Sequence, residues 1–171
     1  MEATLADLGR IGVSASHSSA GFGALESKIT QIPLEYVTEF IFTTDIDWGK
    51  FLGEKAGVRI PMHYDYNSST ITPEYNPLDP DVKLKDELDT YQNKANRDSV
   101  RDLVIDQTHR KNLNFMNVRK ERTNNQKKPK VYDIENFDVS FSYQKNDHKS
   151  IDLEVDNSKL YRGGLGYNWN G

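Results

Sequence analysis

The chain contains no cysteine, which excludes disulfide scaffolds, thiolate zinc sites and cysteine nucleophiles together. It is also poor in apolar residues: 36% of its 171 residues are hydrophobic and 28% are charged, so much of it must be solvated surface or loop. No apolar run approaches the roughly 18 residues of a membrane-crossing helix. A crossing strand remains possible, because it needs only about 9 to 11 residues with every second one apolar. The net charge of -4 provides no basic field for a polyanion, and nucleic acid is not an expected partner. The opening "MEATLADLGR" lacks the basic and apolar regions of a secretory signal.

What is present is alternation. In "EYVTEFIFTTDIDWGK", Tyr36, Thr38, Phe40, Phe42, Thr44, Ile46 and Trp48 fall on one face of an extended chain. Glu39, Thr43, Asp45 and Asp47 fall on the other. "GVRIPMHYDY" repeats the pattern with Val58, Ile60, Met62, Tyr64 and Tyr66 against Arg59, His63 and Asp65. Pro61 is expected to impose a bulge or an unpaired donor position, and "GKFLGEKAG" joins the two strands as a hairpin. "GRIGVSASHS" reads as an earlier strand, and "SAGFGALESK" as a glycine-punctuated connection that starts a short helix. "NFDVSFSYQK" sets Phe137, Val139, Phe141 and Tyr143 against Asp138, Ser140, Ser142 and Gln144, with "NDHK" as a turn. From Ile151 the odd positions continue to Trp169, either as one long strand or with a second turn at "DNSK".

The middle differs. "NSSTITPEYNPLDPD" has the composition of a loop. After it, Val82, Leu84 and Leu88 fit one short helix, and Val100, Leu103 and Val104 a second, capped by Asp98 or Ser99. "NLNFMNVRKER" returns to strand, and "TNNQKKPK" is a basic loop. The expected organisation is a β segment over 1–66, a loop and helical insert over 67–111, and a second β segment over 112–171.

Two readings fit this period. A soluble β-sandwich module, binding glycan or protein through its tyrosines and tryptophans, has one face on a core and one in water. A membrane β-barrel has an apolar outer band between aromatic girdles and a polar lumen. The aromatics at strand ends favour the barrel: Tyr36 to Trp48 spans about 40 Å along a strand, or about 30 Å when tilted by about 40°. Catalytic constellations are lacking. His17, His63, His109 and His148 stand singly without zinc spacing, and the glycines of "YRGGLGYN" open no helix that would cradle a phosphate. Asp79 and Asp81 lack the twelve-residue calcium-loop pattern, and turn chemistry explains them better. No enzyme activity, metal or cofactor is expected.

"GVRIPMHYDY", "EYNPLDPDVKLKDEL", "NFMNVRKER", "YDIENFDVSFSY" and "LYRGGLGYN", in that order, resemble the SprA (Sov) family of outer-membrane translocons. The resemblance implies part of a very large transmembrane β-barrel, the protein-conducting channel of the type IX secretion system, needed for protein export and gliding motility. The chain is much shorter than such a protein and is expected to be an internal fragment. Expected partners are outer-membrane lipid, secreted passenger proteins and accessory secretion subunits. Tyr36, Phe40, Phe42, Ile46, Trp48, Val58, Ile60, Met62, Tyr64, Phe137, Val139, Phe141 and Tyr143 would then face lipid. Glu39, Asp45, Asp47, Arg59, His63, Asp65 and Asp138 would line the lumen. Low overall hydrophobicity follows, since only half of each strand need be apolar.

Overall fold

The computed structural model describes residues 1–21, 34–123, 128 and 130–169. Its main feature is an antiparallel sheet in which neighbours along the chain are neighbours in space. The strands are β1 (Glu2–Leu5), β2 (Gly9–Gly21), β3 (Leu34–Asp47), β4 (Val58–Arg59), β5 (Pro61–Pro73), β8 (Asp106–Lys120), β9 (Phe137–Ser150) and β10 (Leu153–Tyr167). The order is β1-β2-β3-β5-β8-β9-β10, with β4 pairing β8. Among the described residues β1 and β10 do not pair with each other, so the sheet does not close.

The β3–β5 hairpin is fixed by a few polar contacts. The Asp47 carboxylate accepts from the N–H groups of Gly49 and Ile60, both at 3.0 Å. Trp48 N–H donates to the Ile60 carbonyl at 3.0 Å. A 3₁₀ turn over Trp48–Leu52 follows. Gly49 is buried there, and a Cβ on it would overlap the Val58 carbonyl oxygen. The interruption expected at Pro61 is present: β4 ends at Arg59, β5 begins at Pro61 in register with Asp47, and the ladder to β8 resumes only at Met62, a position proline tolerates. Opposite this break β8 carries a bulge, where the register to β9 shifts between Phe115 and Val118 and Asn117 has φ 55°. Asparagine is among the residues that enter this left-handed region at least cost, and its N–H is taken by Ser140 Oγ at 3.2 Å.

Several expectations about loops are corrected. "NSSTIT" belongs to β5, although Asn67, Ser69, Ser68 and Thr70 give it no apolar face. Its ladders to β3 and β8 hold it extended. "NDHK" is likewise not a turn but part of β9, paired on both sides. The turn falls at Ile151–Asp152, and "DNSK" lies within the single long strand β10. The strands therefore cross the expected boundaries at 66 and 111. The connection proposed as a short helix falls almost wholly outside the described residues, as does most of "TNNQKKPK".

The connection from β5 to β8 carries a small hairpin, β6 (Tyr75–Asn76) and β7 (Asp79–Lys83), then helices α1 (Leu84–Thr90) and α2 (Lys94–Val104). Val82 lies in β7 rather than in the first helix. The α2 cap is Asn93, whose side chain accepts from Ala95 N–H at 2.9 Å. Ser99, expected as a cap, is inside the helix and donates to the Ala95 carbonyl at 2.9 Å. The insert holds all the buried hydrophobic residues described, Leu84, Val104 and Ile105. Asn76, also buried, accepts from Leu78 N–H at 2.9 Å and donates to Glu87. Lys83 pairs with Glu74 at 2.8 Å, and the hydrogen bond it donates to that carboxylate raises the lysine pKa above its ordinary value. No helix among the described residues is long and apolar enough to cross a membrane.

Gly49→Ala is expected to lower stability by about 1–3 kcal/mol, because the colliding atom is backbone and cannot rotate away. Thermal denaturation of the protein checks this, with Gly53→Ala, whose Cβ meets nothing within 4 Å, measuring the separate penalty of a positive φ.

Candidate functional site

The register sorts every strand residue onto one of two faces. Rows run across the sheet as Gly9–Ile46–Met62–Phe115–Phe141–Gly163, then Ile11–Thr44–Tyr64–Leu113–Tyr143–Tyr161. A further row, Val13–Phe42–Tyr66, continues the apolar surface on β2, β3 and β5, and Phe40 extends it on β3. Toward the opposite end, Val118, Val139 and Leu165 form another row, and Phe137 pairs with Tyr167. Rings pack across strands. Phe42 and Tyr64 centroids are 6.1 Å apart, Tyr143 and Tyr161 4.9 Å, and Phe137 and Tyr167 5.1 Å.

The structure brings Phe40, Phe42, Ile46, Met62, Tyr64, Phe137, Val139, Phe141 and Tyr143 onto this one surface, with Val58 and Ile60 at its margin. Trp48 sits just past β3 in the 3₁₀ turn, its ring 5.4 Å from Phe51 and its Nε1–H on Met62 Sδ at 3.3 Å. Tyr36 shares the face but lies in polar company, stacked on His17 at 6.0 Å and paired with Ser19 and Thr72. Sequence reasoning did not assign Leu113, Phe115 and Val118 to this face, because the extra residue at Met116–Asn117 breaks their period of two. It also left Tyr161, Leu165 and Tyr167 unassigned, although the odd positions of β10 carry a readable alternation.

The other face is a polar lattice. His63 Nδ1 is 2.6 Å from Asp45 and its Nε2 is 3.4 Å from Asp65. Arg10 reaches Asp45 at 3.3 Å, and Asn112 donates to Asp65 at 2.7 Å. Arg59 bridges Asp47 at 3.6 Å and Glu121 at 3.4 Å. Glu39 meets Ser16, Asp138 lies opposite Arg119 and Gly166, and Ser142 donates to Asn114 at 2.6 Å. Glu39, Asp45, Asp47, Arg59, His63, Asp65 and Asp138 thus all stand on this face, while Asp47 also has a structural task as the turn cap. Among the described residues no group of three or more His, Asp or Glu is placed to hold a metal ion. Asp79 is in β7, opposite Asn76.

On the first half of β9, exposure runs opposite to that of a water-soluble sheet. On β9 the apolar Phe137, Val139 and Phe141 are 37%, 48% and 41% exposed, while the intervening Asp138, Ser140 and Ser142 are half-buried among their polar neighbours. At the insert end a cleft between the strand ends and the helices is lined by residues such as Tyr36, Thr72, Lys83, Asp86 and Arg101. It mixes charges of both signs, the Glu74–Lys83 pair among them.

A family model described as a motility related/secretion protein, SprA_N, matches residues 1–88. No curated protein matches the chain.

Asp45→Asn removes a partner from both Arg10 and His63. Since the Asp45 side chain is 44% exposed, the expected loss is under about 1 kcal/mol. A chemical denaturation midpoint moved by much more would show that this face excludes water.

Proposed function

The chain belongs to the SprA N-terminal family of motility-related and secretion proteins, and from this we propose that its sheet is part of the wall of a protein-conducting outer-membrane β-barrel. In this reading the apolar face contacts lipid and the polar face lines a wet channel of the type IX secretion system. The chain serves export and gliding motility as a conduit, without catalysis of its own. The partners are lipid, the passenger proteins and accessory subunits that supply energy and gating.

The observation that carries the reading is the uncovered apolar face. Roughly a dozen large side chains stand half-exposed there, and at about 1 kcal/mol each for the burial they lack, water would forfeit an amount comparable to the whole stability of a domain, about 5–15 kcal/mol. Lipid removes that cost. A polar lining on the other face lets a passenger move without adhering.

The shape of the apolar surface adds support. Its upper limit lies at Phe40 on β3, Tyr66 on β5, and Leu113 and Tyr143 on β8 and β9. Between β3 and β9 the limit moves by two rows, roughly 13 Å along the strands, over three interstrand spacings, roughly 14 Å in all. Strands crossing a flat membrane at a slope near about 40° produce that offset, and closed barrels tilt their strands by about 35–45°. Among the described residues the outer edges of β1 and β10 have no partner strand, which fits the same reading, because in a bilayer each would pair with a further strand.

Phe141→Arg places a charge in the middle of the apolar surface and is expected to cost about 2–4 kcal/mol of folding into membranes, whereas Ser142→Arg on the opposite face is tolerated. Urea titration of the full-length protein in lipid vesicles reads both. Equal losses would overturn the sidedness, and a water-soluble, detergent-independent monomer would favour a soluble β module instead.

A further inference from the structure

Where the apolar surface ends on β8, β9 and β10, the next row consists of lysines alone. Lys111 is the direct cross-strand partner of Lys145, and Lys145 of Lys159. They follow immediately after Leu113, Tyr143 and Tyr161 and share their face. Lys111 and Lys159 are exposed and Lys145 is half-buried. The same row on β2, β3 and β5 is Val13, Phe42 and Tyr66, so the basic edge is confined to three adjacent strands.

Like charges directly opposite each other in neighbouring strands are destabilising, and the ladder repeats that arrangement twice. Asp147, 2.5 Å from Lys145 Nζ, offsets one of the three charges. Lys111 Nζ lies 5.6 Å from the centre of the Tyr66 ring, a contact that leaves its charge intact. The row therefore holds surplus positive charge that an external anion would neutralise. Lysine stems also suit the place, since they lie along apolar surface while the ammonium group reaches the polar zone.

We propose that Lys111, Lys145 and Lys159 bind the phosphate groups of anionic lipid headgroups, fixing the depth of β8–β10 in the membrane on the side of the helical insert. The proposal rests on the lipid-facing reading above. Its chemistry is charge pairing of ammonium with phosphate at the level where the apolar surface gives way to the headgroup layer. Tyr143 and Tyr161 occupy the adjoining interfacial position, where aromatic residues concentrate.

The test uses the full-length protein in nanodiscs of mixed phosphatidylcholine and phosphatidylglycerol, with spin-labelled versions of each lipid reporting association. The wild type is expected to prefer phosphatidylglycerol and to lose that preference at high salt. The triple variant K111Q/K145Q/K159Q is expected to show it reduced by about 2-fold or more. Unchanged selectivity in the variant overturns the proposal. So does inorganic phosphate, if at matched concentration it raises the wild-type melting temperature in detergent as much as phosphatidylglycerol does, because the row would then take free anions. A nitroxide at Val139→Cys separates the two levels. If it is accessible to lipid-dissolved oxygen while selectivity is unchanged, only the lysine assignment fails; if it is inaccessible, the lipid-facing reading itself fails.

Discussion

Cross-strand register is the constraint on which everything else depends. Side chains in a strand alternate with a period of two, so a slip by one residue would carry Phe40, Phe42 and Ile46 to the side of Glu39 and Asp45. The molecule pins the register at its ends. At one, Asp47 caps the turn and Gly49 lets the backbone of that turn meet the backbone of β4. At the other, Glu74 N–H donates to the Leu34 carbonyl at 2.9 Å, and Leu84 N–H to the Glu74 carbonyl at 2.9 Å. The bulge at Asn117 absorbs one surplus residue, so that Leu113 and Phe115 on one side of it and Val118 on the other still present one continuous surface.

How much of this was legible depended on whether a strand carried contrast. β3 and β9 were readable from residues alone, because Phe40 and Phe42 alternate with Glu39 and Thr43, and Phe137, Val139 and Phe141 with Asp138 and Ser140. The distal half of β5 was not, since serine, threonine and asparagine occupy both of its faces and only the neighbouring ladders make it a strand. "NDHK" misled for a related reason: asparagine and aspartate favour turns, but pairing with β8 and β10 on both sides outweighs that preference. In β8 the alternation was interrupted at Met116–Asn117, and a bulge cannot be located by counting residues in one strand without its partner.

The helical insert was legible in kind and less so in detail. Its two helices follow from the spacing of Leu84 and Leu88 and of Val100, Leu103 and Val104. The start of the second follows from the cap at Asn93, about one and a half turns before the acidic and serine candidates Asp98 and Ser99. The polar lattice was legible as composition, in that carboxylates and His63 fell on one face. Their joining into an Arg10–Asp45–His63–Asp65–Asn112 chain of contacts depends on three separate strand pairings, each between residues far apart in sequence.

The strands extend well past the apolar surface. β8 continues from Lys111 through His109 and Gln107 to Asp106, and β9 from Lys145 to Ser150. A strand of 15 residues, such as β10, rises by about 38 Å when tilted by about 40°, more than the roughly 30 Å hydrocarbon layer. In the proposed role, an extended passenger would have about eleven of its residues alongside such a wall at any instant. The lining would then meet the averaged charge and bulk of a whole segment, so no single passenger side chain could dominate its passage, and throughput would be tolerant of sequence.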